Sequence, residues 1–595
     1  MLLVGRLKFF IIALYIAVIH VKGTYIMSMT NKVSMIAIAV CASLVAGCGG
    51  GGGGSTVERE GSTPTTPTTP TTPTTPPTGG GPTWEAGVFE PQSEFIAKCE
   101  TPRTGIDPFT GNAYPDTQGS ALEEKLWLRS WTNDTYLWYD EVPDNDPENF
   151  TVLDYFDQLK TTELTPSGTA KDNFHFSQPT DEYNELTQSG VSSGYGFSFE
   201  FVRNSAPREL IVRYTEPGSP AANANVPRGA RLMQVNGIDF VNDSTQAGVN
   251  AINEALFPDD DGQTNSFEFM LNDGSSMSVD ITSASVALSP VNNVRVINTN
   301  AGRVGYFQFN RFIRAAQPGL IDAFNQFVDE NVTELVIDLR YNGGGLLALA
   351  SQVSFMVAGP NQTNNAFFER LQFNDKNPTT NPVTGGSLQP TPFYSNEIDY
   401  DANRLTNTPL PSLSLTRIYV LTTENTCSAS ESVMNALRGI DVEVVQIGAT
   451  TCGKPYGFYP TDNCGETYFT IQFQGVNNKG FGDYADGFMP TANPNFDFEL
   501  PGCVVEDDFS ADLGSTDEAL LAAALEYSET GSCPATSGAQ SSSLASNVDI
   551  DGTRNVESDL QLTNNEGLAI KTPNDQWESL ILHNRINEPV LREER

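Results

Sequence analysis

Between residues 289 and 535, short apolar runs alternate with amphipathic helical segments, and this alternation constrains the fold more than any other feature of the chain. One predicted helical face precedes an apolar run at 335–339 and consists of Leu320, Ile321, Phe324, Phe327 and Val328. Strands that alternate with helices are typical of a mainly parallel sheet with helices packed on it. The sequence therefore predicts an α/β domain over 289–535.

Three turns of this domain carry residues suited to chemistry. The run at 335–339 leads into Asp338-Leu339-Arg340-Tyr341-Asn342-Gly343-Gly344-Gly345, whose glycines leave backbone N–H groups able to face an oxyanion. A second run at 417–421 leads into Thr426-Cys427-Ser428-Ala429-Ser430-Glu431, which places Ser428 at a helix N-terminus. Such a serine is either a nucleophile or an ordinary N-cap residue. The third turn, Gly453-Lys454-Pro455, supplies a lysine 26 positions after Ser428.

Together these turns resemble the motifs of the C-terminal (tail-specific) processing serine peptidases, which show a DLRxNxGG turn, an SASASE turn and a Gly-Lys loop in this order. The resemblance implies a crotonase/Clp-protease-like arrangement of sheet and helices. It also implies that Ser428 is the nucleophile and Lys454 the general base, and that the N–H groups of Gly344 and Ala429 form the oxyanion hole. Because the lysine must act as a neutral amine, we expect an apolar pocket that lowers its pKa from about 10.4.

The resemblance offers two possibilities for a third catalytic residue. Some relatives place a glutamate three residues after the serine, which is Glu431 here, and others place a glutamine four residues after the lysine, where this chain has Phe458. We therefore expect Glu431 to complete the site. Cys427 stands where the family usually has alanine.

Residues 186–288 consist of short strand-like runs separated by Gly, Pro and Asn turns. Gly194-Tyr195-Gly196-Phe197 resembles the carboxylate-binding loop of PDZ domains, in which backbone N–H groups hold the C-terminus of a peptide beside a strand. The segments 216–222 and 230–237 resemble later PDZ segments. The resemblance implies a PDZ-like domain that binds peptides through Gly194, Tyr195, Gly196 and Phe197, and a small β domain without peptide binding is the alternative.

The first 47 residues contain basic but no acidic side chains and two apolar runs, at 9–19 and 35–44, which is typical of an export signal. The second run ends in Leu44-Val45-Ala46-Gly47-Cys48, which resembles the bacterial lipobox and implies that residues 1–47 are removed and that Cys48 carries lipid. Neither run reaches the roughly 20 residues that a membrane-spanning helix needs. We expect an exported protein, anchored by lipid to the bacterial cell envelope, at the outer membrane facing the periplasm or the cell surface.

Three further segments complete the organisation of the chain. Residues 48–83 hold a glycine run and a repeated Thr-Thr-Pro, which cannot bury a core and predict a tether. Residues 84–185 carry aromatic side chains at helical spacing and predict a small N-terminal helical domain. A Ser/Gly-rich tail covers 536–595.

Six cysteines are left once Cys41 is removed with the leader and Cys48 is lipidated: Cys99, Cys427, Cys452, Cys464, Cys503 and Cys533. An oxidising compartment favours disulfides, although six cysteines allow fifteen pairings. We expect Cys452 to pair with Cys464, because the two bracket the loop that carries Lys454. The cysteines lack CxxC spacing, so we expect no zinc site, and the sequence indicates no other metal or cofactor.

Charge and histidine content argue against two other function classes. A formal net charge of −40 repels phosphates, so nucleic acid is not an expected partner. Ser192 lies in Gly190-Val191-Ser192-Ser193-Gly194, formally a nucleophile elbow, but this segment leads into a strand-like run rather than a helix. Outside the leader, only His175 and His583 are available as histidine bases.

The sequence therefore favours a serine endopeptidase that captures unfolded polypeptides, or polypeptides with accessible C-termini, and cleaves them through an acyl-enzyme on Ser428. The alternative is a lipoprotein on the same scaffold that binds peptides or small ligands without cleaving them. Phe458, in place of an orienting glutamine, keeps this alternative open.

Overall fold

The computed structural model describes residues 81–181, 183–184, 191–258, 260–400 and 402–534, together with the backbone of 585–586. The predicted signal peptide, Cys48 and most of the predicted tether lie outside these residues. Within the described part of the chain, no helix combines the length and the apolar character needed to cross a lipid bilayer.

The N-terminal region packs on strands that come much later in the chain. Its elements are β1 (Lys98–Cys99), β2 (Thr117–Gln118), α1 (Ala121–Thr135), α2 (Val152–Gln158) and β3 (Phe176–Pro179). Ser120 and Thr151 cap the two helices by accepting backbone N–H groups. Trp127, Trp131 and Phe156 are buried around Tyr468. The region predicted as a helical domain therefore shares its core with the α/β domain.

Residues 191–287 form a β domain with a core of its own, built around Leu210, Phe240, Ile252 and Phe267. Its elements are β4 (Val191–Gly194), β5 (Phe197–Arg203), β6 (Glu209–Thr215), α3 (Pro220–Asn223), β7 (Arg231–Val235), β8 (Ile238–Asp239), α4 (Gln246–Leu256), β9 (Thr264–Met270), β10 (Ser276–Thr282) and β11 (Ala284–Ala287). The larger sheet has the order β10-β9-β7-β6-β5, with β8 beside β7, and β4 pairs with β11.

The α/β domain follows. Its elements are β12 (Val291–Thr299), β13 (Gly302–Phe309), α5 (Ala316–Asp329), β14 (Glu334–Asp338), β15 (Gly345–Leu346), α6 (Leu347–Thr363), β16 (Phe367–Gln372), β17 (Thr391–Pro392), β18 (Asn396–Asp399), β19 (Arg404–Pro409), β20 (Arg417–Thr422), α7 (Ala429–Gly439), β21 (Glu443–Gly448), β22 (Tyr456–Gly457), β23 (Thr461–Asn463), β24 (Glu466–Phe469), β25 (Phe473–Val476), β26 (Met489–Thr491), β27 (Glu499–Val504) and α8 (Ala519–Thr530).

The central sheet has seven strands in the order β12-β13-β14-β20-β21-β27-β26. The pair β12–β13 is antiparallel. Every other pair of neighbours in this sheet, from β13–β14 to β27–β26, is parallel. The turns that leave the carboxyl ends of β14, β20 and β21 therefore lie along the same edge of the sheet, which is where α/β proteins place their functional residues.

Both faces of this sheet are covered by helices. Helices α5, α6 and α7 bury apolar side chains against one face, and α8 buries Leu520 and Leu521 against the other. Of the helical face predicted from the sequence, Leu320, Phe324 and Phe327 are buried, but Val328 is exposed. The predicted mainly parallel sheet with helices on it is present.

Smaller sheets extend the domain beyond the central one. One has the order β17-β16-β25-β22, another joins β23 and β24 to β3, and β18 pairs with β19. The backbone of β28 (Arg585–Ile586), in the predicted tail, runs parallel to β15. This short pair lies directly after the glycine-rich turn that follows β14.

Three disulfides connect the six cysteines and correct the predicted pairing. Cys427 is bonded to Cys452, Cys99 to Cys464, and Cys503 to Cys533. The prediction that Cys452 pairs with Cys464 was wrong, because Cys452 lies beside the nucleophile turn, where Cys427 is 5.2 Å away between Cα atoms. Cys464 instead ties β1 of the N-terminal region to the α/β domain.

Candidate active site

Ser428 lies between β20 and α7, in the strand-to-helix turn that the sequence predicted. Its backbone has φ 58° and ψ −112°, a conformation that a residue with a side chain adopts only when its surroundings enforce it. The residue is fully buried, and its Oγ has no hydrogen-bond partner among the described residues. The sharp turn thus holds the hydroxyl at the N-terminus of α7, which is the position that the sequence predicted for a nucleophile.

The glycine-rich turn after β14 packs directly on the nucleophile turn. The carbonyl of Asn342 accepts the Cys427 N–H at 3.1 Å and the Ser430 hydroxyl at 2.9 Å. Gly344 has φ 114°, and a Cβ there would lie only 2.8 Å from Ser428 Cβ and 3.0 Å from Ala429 N. Glycine is needed at 344 because any side chain would collide with the nucleophile.

The two predicted oxyanion donors are adjacent but differ in their present bonding. Ala429 is the first residue of α7, so its N–H has no acceptor within the helix. The Gly344 N–H donates to Asn342 Oδ1 at 2.9 Å. An oxyanion would therefore have to displace Asn342 Oδ1 as the acceptor of the Gly344 N–H. The Ala429 N–H, at the first position of α7, has no such acceptor within its helix.

Lys454 lies on the loop after β21 and is fully buried. Its Nζ is 4.4 Å from the ring centroid of Phe458 and 4.7 Å from that of Phe174. Phe458 occupies the position at which some relatives have glutamine, so an aromatic face contacts the amine here instead of an amide. The pocket predicted for this lysine is apolar on these two sides.

Glu431 joins the nucleophile turn to the lysine loop through its buried carboxylate. One oxygen, Oε2, accepts the N–H groups of Ser428 and Lys454, each at 2.9 Å. The other oxygen, Oε1, accepts the Thr451 hydroxyl at 2.6 Å and the Gly453 N–H at 2.9 Å. Because both lie 2.9 Å from one atom, the backbone nitrogens of Ser428 and Lys454 are no more than 5.8 Å apart.

The environment of Glu431 perturbs its ionisation in two directions. Burial raises the pKa of this carboxyl above its ordinary value, and the hydrogen bonds from Thr451 and from the three N–H groups oppose that rise. The hydrogen bonds of Glu431 go to backbone N–H groups and a hydroxyl. In this arrangement Glu431 connects the turn of Ser428 to the loop of Lys454.

A buried network of charged side chains surrounds Arg340, just before the glycine-rich turn. Arg340 donates to Asp338 at 2.9 Å, to Glu518 at 2.7 Å and to Asp507 at 2.8 Å. Arg228 of the β domain donates to the hydroxyl of Tyr341 at 2.7 Å and also pairs with Asp507. The residues that precede the oxyanion turn are thus bonded to the β domain.

The residues of the alternative histidine-based site, which the sequence analysis disfavoured, lie elsewhere. Ser192 is part of β4 and pairs with Val286 of β11, so it is in a strand and not in an elbow. The ring nitrogens of His175 contact Thr470 and the carbonyl of Phe156, and burial lowers the pKa of this histidine to about 4. His583 lies outside the described residues.

The predicted peptide-binding loop connects β4 to β5 in the β domain. Gly196 has φ 80°, and its carbonyl accepts the Glu216 N–H at 2.8 Å. Tyr195 is buried and donates its hydroxyl to the carbonyl of Ala255 in α4 at 2.9 Å. Phe197 begins β5, the terminal strand of the larger sheet, and no described strand pairs with its outer edge.

One group of side chains has metal-ligand geometry. Cys427, Glu431 and Cys452 offer ligand atoms that all lie within 4.8 Å of one another. The two sulfur atoms are bonded to each other, however, and zinc binds cysteine as thiolate. The geometry of this group is therefore explained by the disulfide beside the Glu431 carboxylate.

Comparison with known proteins finds a family match over the part of the chain that holds these turns. The family model "Peptidase family S41" matches residues 303–461, a range that contains Gly344, Ser428, Glu431 and Lys454. Residues 303–461 are thus similar to a peptidase family S41 domain. A carboxyl-terminal-processing protease of Picosynechococcus is 27% identical over 171 residues, which cover 29% of this chain and 39% of the relative.

A second relative and a solved structure extend the S41 comparison. The chloroplastic carboxyl-terminal-processing peptidase 3 of Arabidopsis thaliana is 23% identical over 257 residues, which cover 42% of this chain and 44% of the relative. The chain thus matches less than half the length of either curated relative. The crystal structure of a putative S41 protease from Bacteroides fragilis covers 70% of this chain and 98% of its own, with a TM-score of 0.51 and 24% identity. This likeness shows the S41 fold of mixed sheets and helices.

Several contacts of this site were not anticipated from the sequence. Asn342 lies within the glycine-rich motif and Thr451 lies just before the lysine loop, but their side-chain hydrogen bonds depend on how the loops meet. Asp507 and Glu518 bind Arg340 from far along the chain and have no local signature. Cys427, by contrast, left a signal, because it replaces the usual alanine beside Ser428.

Proposed function

We propose that the protein is a serine endopeptidase of the C-terminal processing type that cleaves exported polypeptides through an acyl-enzyme on Ser428. The observation that carries the proposal is the shared Glu431 oxygen, which binds the N–H groups of both Ser428 and Lys454. Ser428 Oγ accepts no hydrogen bond from Lys454 Nζ in this structure, so the proposal requires the amine to move to the hydroxyl during the reaction. The match to an S41 peptidase domain over 303–461 supports the same reaction class.

In the proposed mechanism, the neutral amine of Lys454 takes the proton of Ser428 as its Oγ attacks the scissile carbonyl carbon. The carbonyl oxygen becomes an oxyanion and accepts hydrogen bonds from the N–H groups of Gly344 and Ala429. The lysine ammonium then gives its proton to the leaving amide nitrogen as the C–N bond breaks. Water hydrolyses the resulting ester by the same proton transfers and frees Ser428.

The surroundings of Lys454 act on its protonation in opposite ways. Full burial removes water from the amine and disfavours the ammonium form. The faces of Phe174 and Phe458 attract a cation and so favour it. In this chain the ring of Phe458 stands where some relatives have an amide.

We further propose that the β domain captures the substrate before cleavage. Its free β5 edge and the loop of Gly194, Tyr195, Gly196 and Phe197 are suited to holding an extended C-terminal segment whose carboxylate faces backbone N–H groups. The lipobox at Cys48 supports lipid anchoring to the cell envelope. These two features would bring the enzyme to unfolded polypeptides near a membrane.

The second candidate function is peptide binding without cleavage. The observation that favours it is the present bond from the Gly344 N–H to Asn342 Oδ1, since it occupies one of the two oxyanion donors. A binder would keep that bond when a peptide is present. A peptidase must break it in the transition state.

The two functions differ in a cleavage assay with matched variants. Purified protein is incubated with an unfolded polypeptide, alongside Ser428→Ala and Lys454→Ala. Controls are Ser354→Ala, a buried hydroxyl in α6 that bonds only within its helix, and Lys479→Ala, an exposed lysine paired with Asp441. We expect cleavage in the wild type and both controls and none in the two site variants. Equal cleavage in all five proteins, or none in any, would favour the binder.

A further inference from the structure

Cys427 and Cys452 each lie next to one half of the proposed catalytic pair. Cys427 directly precedes Ser428, and Cys452 comes two residues before Lys454. Their disulfide joins the two turns with Cα atoms 5.2 Å apart. The Cys452 N–H also donates to the carbonyl of Thr426 at 3.1 Å. The covalent bond therefore spans the same gap as the hydrogen bonds of Glu431.

We propose that the Cys427–Cys452 disulfide is a positioning element for the reaction, which holds the lysine loop against the nucleophile turn. This inference rests on the proposed function. The inference adds to the proposed function a role for two cysteines that the family motifs do not include, since Cys427 stands where the family usually has alanine.

The local structure shows why a covalent link matters at this point. Ser428 has a backbone conformation that must be enforced by its neighbours. The residues between β21 and β22 that carry Lys454 belong to no helix or strand. Cys452 is half-buried, and the hydrogen bonds of its neighbours Thr451, Gly453 and Lys454 to Glu431 are buried. A bond that water cannot exchange keeps the loop in register when a substrate strand enters.

The chain supplies a matched control for a purely stabilising role. Cys503 and Cys533 are 30 positions apart, close to the 25 positions between Cys427 and Cys452. Closing loops of similar length constrains the unfolded chain by similar amounts, so both disulfides should contribute similarly to overall stability. The Cys503–Cys533 bond joins β27 to the residues after α8 and touches neither catalytic turn.

The experiment compares Cys427→Ala/Cys452→Ala with Cys503→Ala/Cys533→Ala in the otherwise intact protein. We expect the Tm of both double variants to fall by similar amounts. Only the first should lose kcat, by about 10²-fold, because a misplacement of about 1 Å at a reacting group can cost that much, while KM changes little. Equal losses of kcat in the two variants would overturn the proposal, because the disulfide would then act through stability alone.

Hydrogen–deuterium exchange measures the same positioning without any substrate. The N–H groups of Ser428, Gly453 and Lys454 are bonded to Glu431 and should be protected in the wild type. We expect exchange in peptides covering 428–431 and 451–454 to be about 10-fold faster in Cys427→Ala/Cys452→Ala and unchanged in the control variant. Unchanged exchange in both variants would overturn the inference. If the wild type cleaves nothing, the proposed function fails, and the exchange data still decide whether the disulfide positions the loop.

Discussion

Replacing Glu431 by glutamine removes one of the two carboxylate oxygens that hold the catalytic turns together. Each oxygen accepts two hydrogen bonds, from Ser428 and Lys454 at Oε2 and from Thr451 and Gly453 at Oε1. A glutamine amide keeps one oxygen and turns an NH₂ donor toward the other pair of donors. Whichever way the amide is oriented, two donors lose their acceptor inside a fully buried site.

The size of the effect follows from these two bonds. A hydrogen bond to a charged group contributes about 1.5–3 kcal/mol, so losing two costs about 3–6 kcal/mol. If the cost falls on the positions of Ser428 and Lys454, kcat/KM decreases by roughly 10²- to 10⁴-fold, at about 1.36 kcal/mol for each factor of ten. The Ser428 hydroxyl and the Lys454 amine are both retained, so the loss would come from geometry.

The assay measures kcat/KM against pH and Tm for Glu431→Gln, with Glu443→Gln as the control, an exposed carboxylate paired with Arg417. Since burial raises the pKa of Glu431, wild-type activity should fall on the acid side above the pH at which an ordinary glutamate titrates. Protonation of Lys454 also lowers activity toward acid pH, and this part of the acid limb should remain in Glu431→Gln. Wild-type kcat/KM in Glu431→Gln at the pH optimum would refute the positioning role.

Three further predictions concern stability and access to the site. Arg340→Met leaves the buried carboxylates of Asp338 and Glu518 without their cation and should lower the free energy of unfolding, measured by denaturant titration, by about 3–5 kcal/mol. Arg417→Met, at an exposed pair with Glu443, should change it by less than about 1 kcal/mol. A similar change in both variants would contradict the importance of the network. Burial lowers the pKa of His175 to about 4 in the folded protein, from about 6.5 in the unfolded chain. Between these two pH values the unfolded chain binds more protons, so the free energy of unfolding should fall by about 3 kcal/mol as the pH decreases from 6.5 to 4. His175→Gln should remove that part of the acid dependence of Tm, and an unchanged slope would contradict it. We expect the scissile segment of a substrate to pair with β15, next to the glycine-rich turn. Deleting residues 583–595 removes β28 from this edge, so KM for an added polypeptide should decrease, and an unchanged KM would contradict the expectation.

The sequence was most informative where a function depends on a local strand-turn-helix pattern. The turns of Gly344 and Ser428 follow β14 and β20, and the lysine loop follows β21, as the apolar runs predicted. Parallel pairing of these strands brings their carboxyl ends to one edge of the sheet, whereas it was the family resemblance that implied one site for the three motifs.

Contacts between distant segments could not be predicted in the same way. The pairing of Cys427 with Cys452 depends on how two loops cross, and bracketing of Lys454 by Cys452 and Cys464 gave the wrong partner. Glu431 was expected at the site, but that it binds N–H groups on both turns depends on its rotamer and burial. Arg340 meets Asp507 and Glu518 only after the sheet has formed, because no sequence pattern links them.

The N-terminal region shows the limit of helical periodicity as a guide to domains. Its aromatic spacing correctly indicates a helix over Ala121–Thr135, with Trp127 and Trp131 on the buried side. The partner of that side is Tyr468 of β24, a residue that periodicity cannot reveal. A separate helical domain was therefore predicted where the structure has a covering layer on the α/β domain.

The covalent intermediate on Ser428 offers the most direct test of the account. Wild-type protein is mixed with an unfolded polypeptide, quenched in acid within the first turnover, digested and analysed by mass spectrometry. We predict an acyl group on the peptide that contains Ser428, absent from Ser428→Ala and reduced in Lys454→Ala. Turnover in Ser428→Ala at the wild-type rate, or an acyl group on a different residue, would contradict the assignment of Ser428 as the nucleophile.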